Sequence, residues 1–297
     1  MIRIGMNFGG SKIEAAALSP SGDILHRINA STPGNYSAAL NTINKLVADI
    51  ETEISTGLSV GICMSGSISP ITGRMRNSNR MYMNGKDIKD DLEYVLNRKV
   101  KIANDANCFA LSESYDGVGK GQKIVCGIIL GTGCGGGLVI DSKLIEGSNG
   151  IAAEWGHNPL PWTNFQEMKG IQCYCGKMGC LEQWISGTGL SRCYKARTKL
   201  DKTAKEIVDL AAQGDSAAVY EISALTDRIA RAIASICNIV DPDVIVIGGG
   251  LSNLTSLYTD LPSLVERFVY ADSWNGKILP PTWGDSSGIR GAARLWA

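Results

Sequence analysis

Residues 173 to 183 read CYCGKMGCLEQ and place three thiols, Cys173, Cys175 and Cys180, within eight positions. Gly176 and Gly179 let the backbone between them curl around an ion. Thiolates bind zinc well, and structural zinc takes four ligands in a tetrahedron. The chain contains only two histidines to complete the set. His26 falls in an early strand of the other half, whereas His157 lies sixteen residues before Cys173 in EWGHNPLPW, and His157 is the expected fourth ligand. A local disulfide or unliganded thiols are the plainer alternatives. An odd total of nine cysteines and the absence of a signal-peptide pattern point instead to a reducing cytoplasm, where clustered thiols usually serve a metal or redox role. A Cys3His shell is closed, so this zinc would be structural and offer no water nucleophile. It would orient the ring of His157 and leave the second ring nitrogen for another partner, a substrate hydroxyl being one candidate. Glu154 and Glu182 flank this segment, so Glu154, His157 and Glu182 could converge beside one rigid site.

Two glycine turns form the next group. Gly9, Gly10, Ser11 and Lys12 stand between the apolar runs IRIGMNF and IEAAALS. Gly131, Thr132 and Gly133, within GTGCGGG, stand between KIVCGIILG and GGGLVID. Each reads as a strand, a glycine turn and a strand, and exposed amides with a nearby hydroxyl suit phosphate oxygens. Neither matches a P-loop or a dinucleotide-binding fingerprint. As a pair they suggest an internal duplication into two α/β halves facing each other across a cleft. Gly248, Gly249 and Gly250 close the buried run DVIVIGGG; a flat surface for an adenine and a simple tight turn fit them equally. Asp105 follows the strand KVKIAN and opens the helix ANCFALSESY. That is an ordinary N-cap position, but it is also where an α/β sheet presents ligand-binding groups, so Asp105 is a candidate base.

The elements that must carry these residues are legible by period. Leu40, Ile43, Val47, Ile50 and Ile54 recur at helical spacing over 37–54, as do Ile222, Leu225, Ile229, Ile233 and Ile236 farther on. DILHRINAS and LSVGICMSG read as strands, and a polar stretch over 67–85 is too long for a simple turn. Cys63, Cys126 and Cys237 lie in apolar stretches and read as small buried hydrophobes. Twenty-nine basic residues balance twenty-nine acidic ones, so no global field favours nucleic acid or an anionic membrane. The apolar runs are too short to span a bilayer. A cytoplasmic protein without nucleic-acid or membrane partners is expected.

Taken together, the stretches IGMNFGGSK, GSISPITG, ANDANCFALSE, GTGCGGGL, EWGHNPL, CYCGKMGCLE, ISGTG, DPDVIVIGGGLSN and GDSSGIRGAA resemble the ROK family of repressors, open reading frames and kinases, in family order from end to end. The resemblance implies an α/β, actin-like ATPase fold (ribonuclease H-like, hexokinase-type) with two domains flanking a cleft. A smaller N-terminal domain would span 1–115, completed by a C-terminal helix at about 286–297, and a larger one with the zinc loop would span 116–285. It implies an ATP-dependent hexose kinase acting on a 6-hydroxyl, with GHNPLPW and GSISPITG resembling fructokinases with some mannokinase activity. Kinases of N-acetylglucosamine or N-acetylmannosamine are the alternative within the class. Asp105 would be the general base; Ser67, Asn79, Asn104, Glu154, His157 and Glu182 would hold the sugar; His157, Cys173, Cys175 and Cys180 would hold zinc. Asn7, Gly9, Gly10, Ser11, Lys12, Gly131, Thr132, Gly133, Gly135, Gly248, Gly249 and Gly250 would meet ATP, which brings Mg2+. A homodimer is expected. Because the first hairpin begins at residue 2, no N-terminal DNA-binding domain is expected. Loops 65–84 and 161–172 are expected to set the choice of sugar. One departure stands out: the family's first phosphate motif is D-x-G-G-T, and this chain has Asn7 in place of the aspartate. Weakened handling of magnesium-nucleotide follows, and a sugar-binding protein with impaired catalysis is the alternative of a different kind.

Overall fold

The computed structural model describes residues 1–297. The first half opens with β1 (Arg3–Phe8), β2 (Lys12–Leu18) and β3 (Ile24–Ser31), followed by α1 (Tyr36–Glu53) and β4 (Ser59–Met64). A small hairpin, β5 (Ser67–Ile68) with β6 (Met75–Arg76), occupies the polar stretch, and α2 (Ile88–Leu96), β7 (Val100–Ala103) and α3 (Asp105–Tyr115) complete this half. The second half repeats the opening with β8 (Ile124–Leu130), β9 (Cys134–Ile140) and β10 (Lys143–Leu144). Helices α4 (Glu182–Ile185), α5 (Gly187–Thr198), α6 (Ala204–Ala212) and α7 (Ser216–Val240) follow. Then come β11 (Val244–Gly248), α8 (Ser256–Glu266), β12 (Lys277–Leu279) and the terminal α9 (Ser287–Arg294).

The duplication expected from the glycine turns is present in the topology. One five-stranded sheet runs β3-β2-β1-β4-β7 and the other β10-β9-β8-β11-β12, so both read third, second, first, fourth, fifth in chain order. In each, the strand that opens the hairpin also pairs parallel to the strand that follows a helix, β1 with β4 and β8 with β11. Central strand β11 (VIVIG) is buried and apolar throughout, whereas edge strand β3 alternates half-buried and exposed positions.

Two compact units result. The first comprises residues 1–121, 137–152 and 282–297; the second comprises 122–136 and 153–281. They are similar in length. Residues 137–152, expected in the second domain, group with the first unit. Gly137 accounts for part of this: a Cβ there would lie 2.5 Å from the Ala106 carbonyl of α3, so only glycine lets the two backbones approach. Likewise, Gly5 and Gly61 let α9 lie directly on the first sheet, against the carbonyls of Ile289 and Ala292. Buried Glu113 of α3 accepts hydrogen bonds from the amides of Thr282 (3.0 Å) and Trp283 (3.2 Å), and Arg294 of α9 reaches Asp116 at 2.7 Å. The chain end is thereby fastened to the first unit. No helix is long and apolar enough to cross a membrane.

Candidate active site

The zinc-type cluster is assembled in the second unit. The side-chain donors of His157, Cys173, Cys175 and Cys180 all lie within 4.8 Å of one another. Local backbone geometry explains why. Gly176 and Gly179 both adopt positive φ, the Cys173 amide donates to the Lys177 carbonyl at 2.9 Å, and Pro159 pairs with Cys180 in an isolated bridge. The Sγ of Cys173 stands 3.6 Å from His157 Nδ1, and Cys175 Sγ stands 3.6 Å from Cys180 Sγ. A tetrahedral zinc with bonds of about 2.3 Å to sulfur holds its sulfurs about 3.8 Å apart, so the donor set fits a closed structural zinc. Thiol chemistry points the same way. Burial pushes the Cys180 thiol up to about 12, with Cys175 and Cys173 adding to the rise, while the Lys177 amide pulls Cys175 down. Crowded thiolates repel one another, and a divalent cation among them removes that penalty.

His157 ends a short 3-10 turn, Trp155–His157, that Glu154 begins. Its Nδ1 faces the thiols. Its Nε2, expected to be open to a substrate, instead meets the Tyr174 hydroxyl at 3.1 Å. Although Tyr174 is an exposed residue, the protein mass beside its phenol pushes it up to about 12, and the charges of Glu182, Cys173 and Glu154 nearby push it the same way. Glu182 starts α4 and is buried. The zinc loop is not its only clamp: its Oε2 accepts the Cys134 amide at 3.0 Å, just past the glycine turn. A Cβ on Gly133 would lie 2.5 Å from that carboxylate, which is why the turn needs glycine there.

That same turn borders a cavity of about 1150 Å³ lined by Gly131, Thr132, Thr188, Lys205, Glu206 and Gly250. Two of the glycine segments singled out in the sequence, 131–133 and 248–250, therefore share one cavity. Gly249 between them has φ of +85° and closes β11 against the Leu130 carbonyl. The amide of Gly187 at the start of α5 donates to the Gly131 carbonyl at 2.7 Å, and the Thr188 hydroxyl donates to the Thr132 carbonyl at 2.8 Å. The α5 and α6 walls of this cavity were not foreseen. A signal existed for α6, since Thr203 and Glu206 form a capping box.

In the first unit, Asp105 is the first residue of α3 and not its N-cap. Asn104 caps the helix, accepting the Asn107 amide at 2.7 Å. Asp105 is thus relieved of capping, and one oxygen takes the Ala106 amide at 2.9 Å. Asp105 is open to solvent, yet the surrounding protein mass pushes its carboxyl above the ordinary value, against the pull of the Ala106 and Asp105 amides. Ser67 Oγ accepts from Arg76 at 3.1 Å, and Asn79 Oδ1 accepts from the Ser65 hydroxyl at 2.6 Å. The first glycine turn is closed by Gly9 N–H to the Lys12 carbonyl at 3.0 Å, and the Ser11 carbonyl accepts from the Thr32 amide at 3.0 Å. Lys12 pairs with Glu14 at 3.3 Å. Arg80 also stands near the turn: a Cβ on Gly10 would lie 3.3 Å from its guanidinium. Arg80, Ser65 and Tyr174 were not named as site residues from the sequence, although Tyr174 stands between two thiols of the cluster and Ser65 and Arg80 lie in the 65–84 loop.

A fold of two such repeated sheets, with a Cys3His cluster beside a glycine turn, defines the class. The ROK family model matches residues 3–297, and the chain belongs to the ROK family. It is 36% identical over 296 residues to an N-acetyl-D-glucosamine kinase of Vibrio atlanticus, covering 98% of each chain. Among solved structures it is similar to a ROK hexokinase from Thermus thermophilus, with a TM-score of 0.89, 25% identity and coverage of 99% of this chain and 97% of that one. A ROK family glucokinase from Streptomyces griseus, in complex with glucose and AMPPNP, aligns with a TM-score of 0.80 and 28% identity over 99% of each chain. The actin-like, hexokinase-type fold is thereby shown. None of these matches favours fructose.

Proposed function

We propose that the protein is an ATP-dependent sugar kinase whose substrate is N-acetylglucosamine, phosphorylated at the 6-hydroxyl. Similarity to the Vibrio kinase over nearly the whole of both chains carries the choice of sugar, and it replaces the fructose expected from GHNPLPW and GSISPITG. The observation that carries the chemistry is Glu182, whose carboxylate is fixed by the amide of Cys134, two residues past Thr132 of the glycine-turn cavity. One side chain thus links a sugar-binding loop to a phosphate-binding turn.

Asp105 serves as the base. Its solvent-open carboxylate takes the proton of the 6-hydroxyl as that oxygen bonds to the γ-phosphorus and the bond to the β-phosphate oxygen breaks, releasing ADP. The raised pKa of Asp105 suits a base, which must hold the proton it accepts. Glu154, His157 and Glu182, with Ser67, Asn79 and Asn104, orient the sugar hydroxyls. The cavity walled by Thr132, Thr188 and Gly250 takes the nucleotide, its backbone amides and hydroxyls replacing solvent around the phosphates. Magnesium bound to ATP would supply positive charge to the phosphoryl oxygens. His157, Cys173, Cys175 and Cys180 would hold a zinc that stiffens the loop and takes no part in the chemistry.

The test is ADP release with excess Mg-ATP and, in turn, N-acetylglucosamine, N-acetylmannosamine, glucose, mannose and fructose. The highest kcat/KM is expected for N-acetylglucosamine. A clear preference for fructose would reinstate the fructokinase reading, and no turnover with any of the five would overturn the kinase.

A further inference from the structure

We propose that the Tyr174 hydroxyl holds, in the sugar-free protein, the place on His157 Nε2 that a sugar hydroxyl takes, making Tyr174 a residue that sets the affinity of the sugar site. This rests on the sugar-kinase reading above. The argument begins with the histidine. Its Nδ1 faces the thiol cluster, 3.6 Å from Cys173 Sγ, so a zinc-bound neutral ring carries its proton on Nε2. That nitrogen then has one hydrogen to give and one direction in which to give it. The Tyr174 oxygen, 3.1 Å away, lies there. A sugar hydroxyl accepting from the same N–H cannot share the position. Binding therefore exchanges one acceptor for another, and the His157 bond to the sugar is offset by the bond to Tyr174 that is given up.

The geometry permits the exchange. Tyr174 lies between two cysteines of the cluster, so its backbone is fixed by Cys173 and Cys175. The side chain itself is 79% exposed, and its ring meets that of His157 only edge-on, with centroids 5.2 Å apart. Swinging it outward breaks little packing. Polar groups nearby, Glu154 and Glu182, are those assigned to the sugar, so the phenol occupies ground where hydroxyls are recognised. A sugar that offers His157 a well-placed acceptor recovers the lost bond, and one that does not must bind without it. The residue thus raises the threshold by the same amount for every sugar that displaces it.

Tyr174→Phe keeps the ring and removes only the competing oxygen. The experiment is calorimetric titration of the zinc-loaded full chain, wild type and Tyr174→Phe, with N-acetylglucosamine, N-acetylmannosamine and glucose, alongside steady-state kinetics. The expected result is a Kd and KM for N-acetylglucosamine lower by about 2- to 10-fold, as for one neutral hydrogen bond. Unchanged kcat and unchanged zinc content are expected with it, and every sugar that displaces the phenol should gain affinity by about the same factor. A merely structural role for Tyr174 would change zinc content or kcat instead of Kd alone. An unchanged or higher Kd in Tyr174→Phe, with the wild type binding sugar, would overturn this proposal and leave the kinase reading standing. A wild type that binds none of the three sugars would overturn both.

Discussion

The two compact units hold their candidate residues by different forces. In the second unit the holding is ionic or metal-like. His157, Cys173, Cys175 and Cys180 converge on one point, and buried Glu167 lies 2.7 Å from Arg228 and 3.0 Å from Arg231. Arg231 also donates to the carbonyls of Pro161 and Trp162 at 2.8 and 2.9 Å, so the loop before the cysteines is pinned to α7. In the first unit, Ser65 holds Asn79 and the Asn107 amide holds Asn104 through neutral bonds, and the charged contacts of the candidate residues, Arg76 to Ser67 and Lys12 to Glu14, are partly exposed and not buried ion pairs. Neutral bonds are each worth about 1 kcal/mol net, whereas removing one partner of a buried ion pair costs about 3–5 kcal/mol. Damage in the second unit should therefore appear as lost fold, and damage in the first as lost rate.

The sharpest test of this contrast lies in the first unit. Asp105→Asn keeps shape and the bond from Ala106 but cannot accept a proton. A fall in kcat of about 10²- to 10⁴-fold is expected, the range for general base catalysis, with sugar affinity and melting temperature nearly unchanged. The acid limb of kcat/KM carries the sign. The base works deprotonated, so activity falls as pH drops through the Asp105 pKa, which lies above the ordinary carboxylate value of 3.8. If Asp105→Asn turns over normally, another group is the base.

In the second unit the same logic predicts loss of stability first. Cys175→Ser removes one of four donors and should release the zinc, with destabilisation above about 4 kcal/mol, the size that loss of a structural metal produces. Metal analysis and thermal unfolding check this together; a wild type that is fully stable without zinc would break the contrast. Glu167→Gln leaves Arg228 and Arg231 without a counter-charge and should cost about 3–5 kcal/mol. Burial alone would raise the Glu167 pKa, but the bonds from Arg231 and Arg228 overcome it and hold the carboxyl below its ordinary 4.5. A depressed folded-state value means that this contribution is present above the unfolded pKa and lost as pH falls through the folded one. Wild type and Glu167→Gln should thus converge in stability toward acid pH, as chemical denaturation at stepped pH would show. By comparison, Ser65→Ala removes one neutral bond to Asn79 and should cost only about 1 kcal/mol, read as a few-fold rise in sugar KM.

How much of this was legible in the sequence follows the same division. The thiol spacing and the scarcity of histidine pointed to the His157 cluster before any fold was known, because metal ligands are few and chemically distinctive. The repeated strand, glycine turn and strand foretold two sheets of like order. Hidden from the sequence were contacts between segments far apart in the chain. Glu182 meeting the Cys134 amide, Glu167 meeting Arg228 and Arg231, and residues 137–152 joining the first unit each depend on close approach that no local period encodes. Asp105 was misplaced by one position for a simpler reason. Asn104 and Asp105 are both good caps, and only backbone geometry decides between neighbours.

The smallest expected effect concerns Asn7, expected from the resemblance to weaken the handling of magnesium-nucleotide. Asn7 lies in β1, with its side-chain amide against Gly288 of α9: a Cβ on Gly288 would come within 3.2 Å of the Asn7 Cγ. Aspartate has the same shape, so Asn7→Asp fits without repacking and changes only charge. An amide carbonyl can accept a hydrogen bond from a water of the magnesium shell, but it does not attract the ion as a carboxylate does. Two unit charges about 4 Å apart in water interact by about 1 kcal/mol; a divalent ion doubles this and salt screening roughly halves it again, so the magnesium concentration for half-maximal ADP release should fall by up to about 5-fold in Asn7→Asp. The sugar KM should not move. An unchanged magnesium titration would show that Asn7 lies outside the metal-nucleotide site, and the first unit would then bear on the rate through Asp105 and the sugar-orienting side chains without touching the nucleotide's metal.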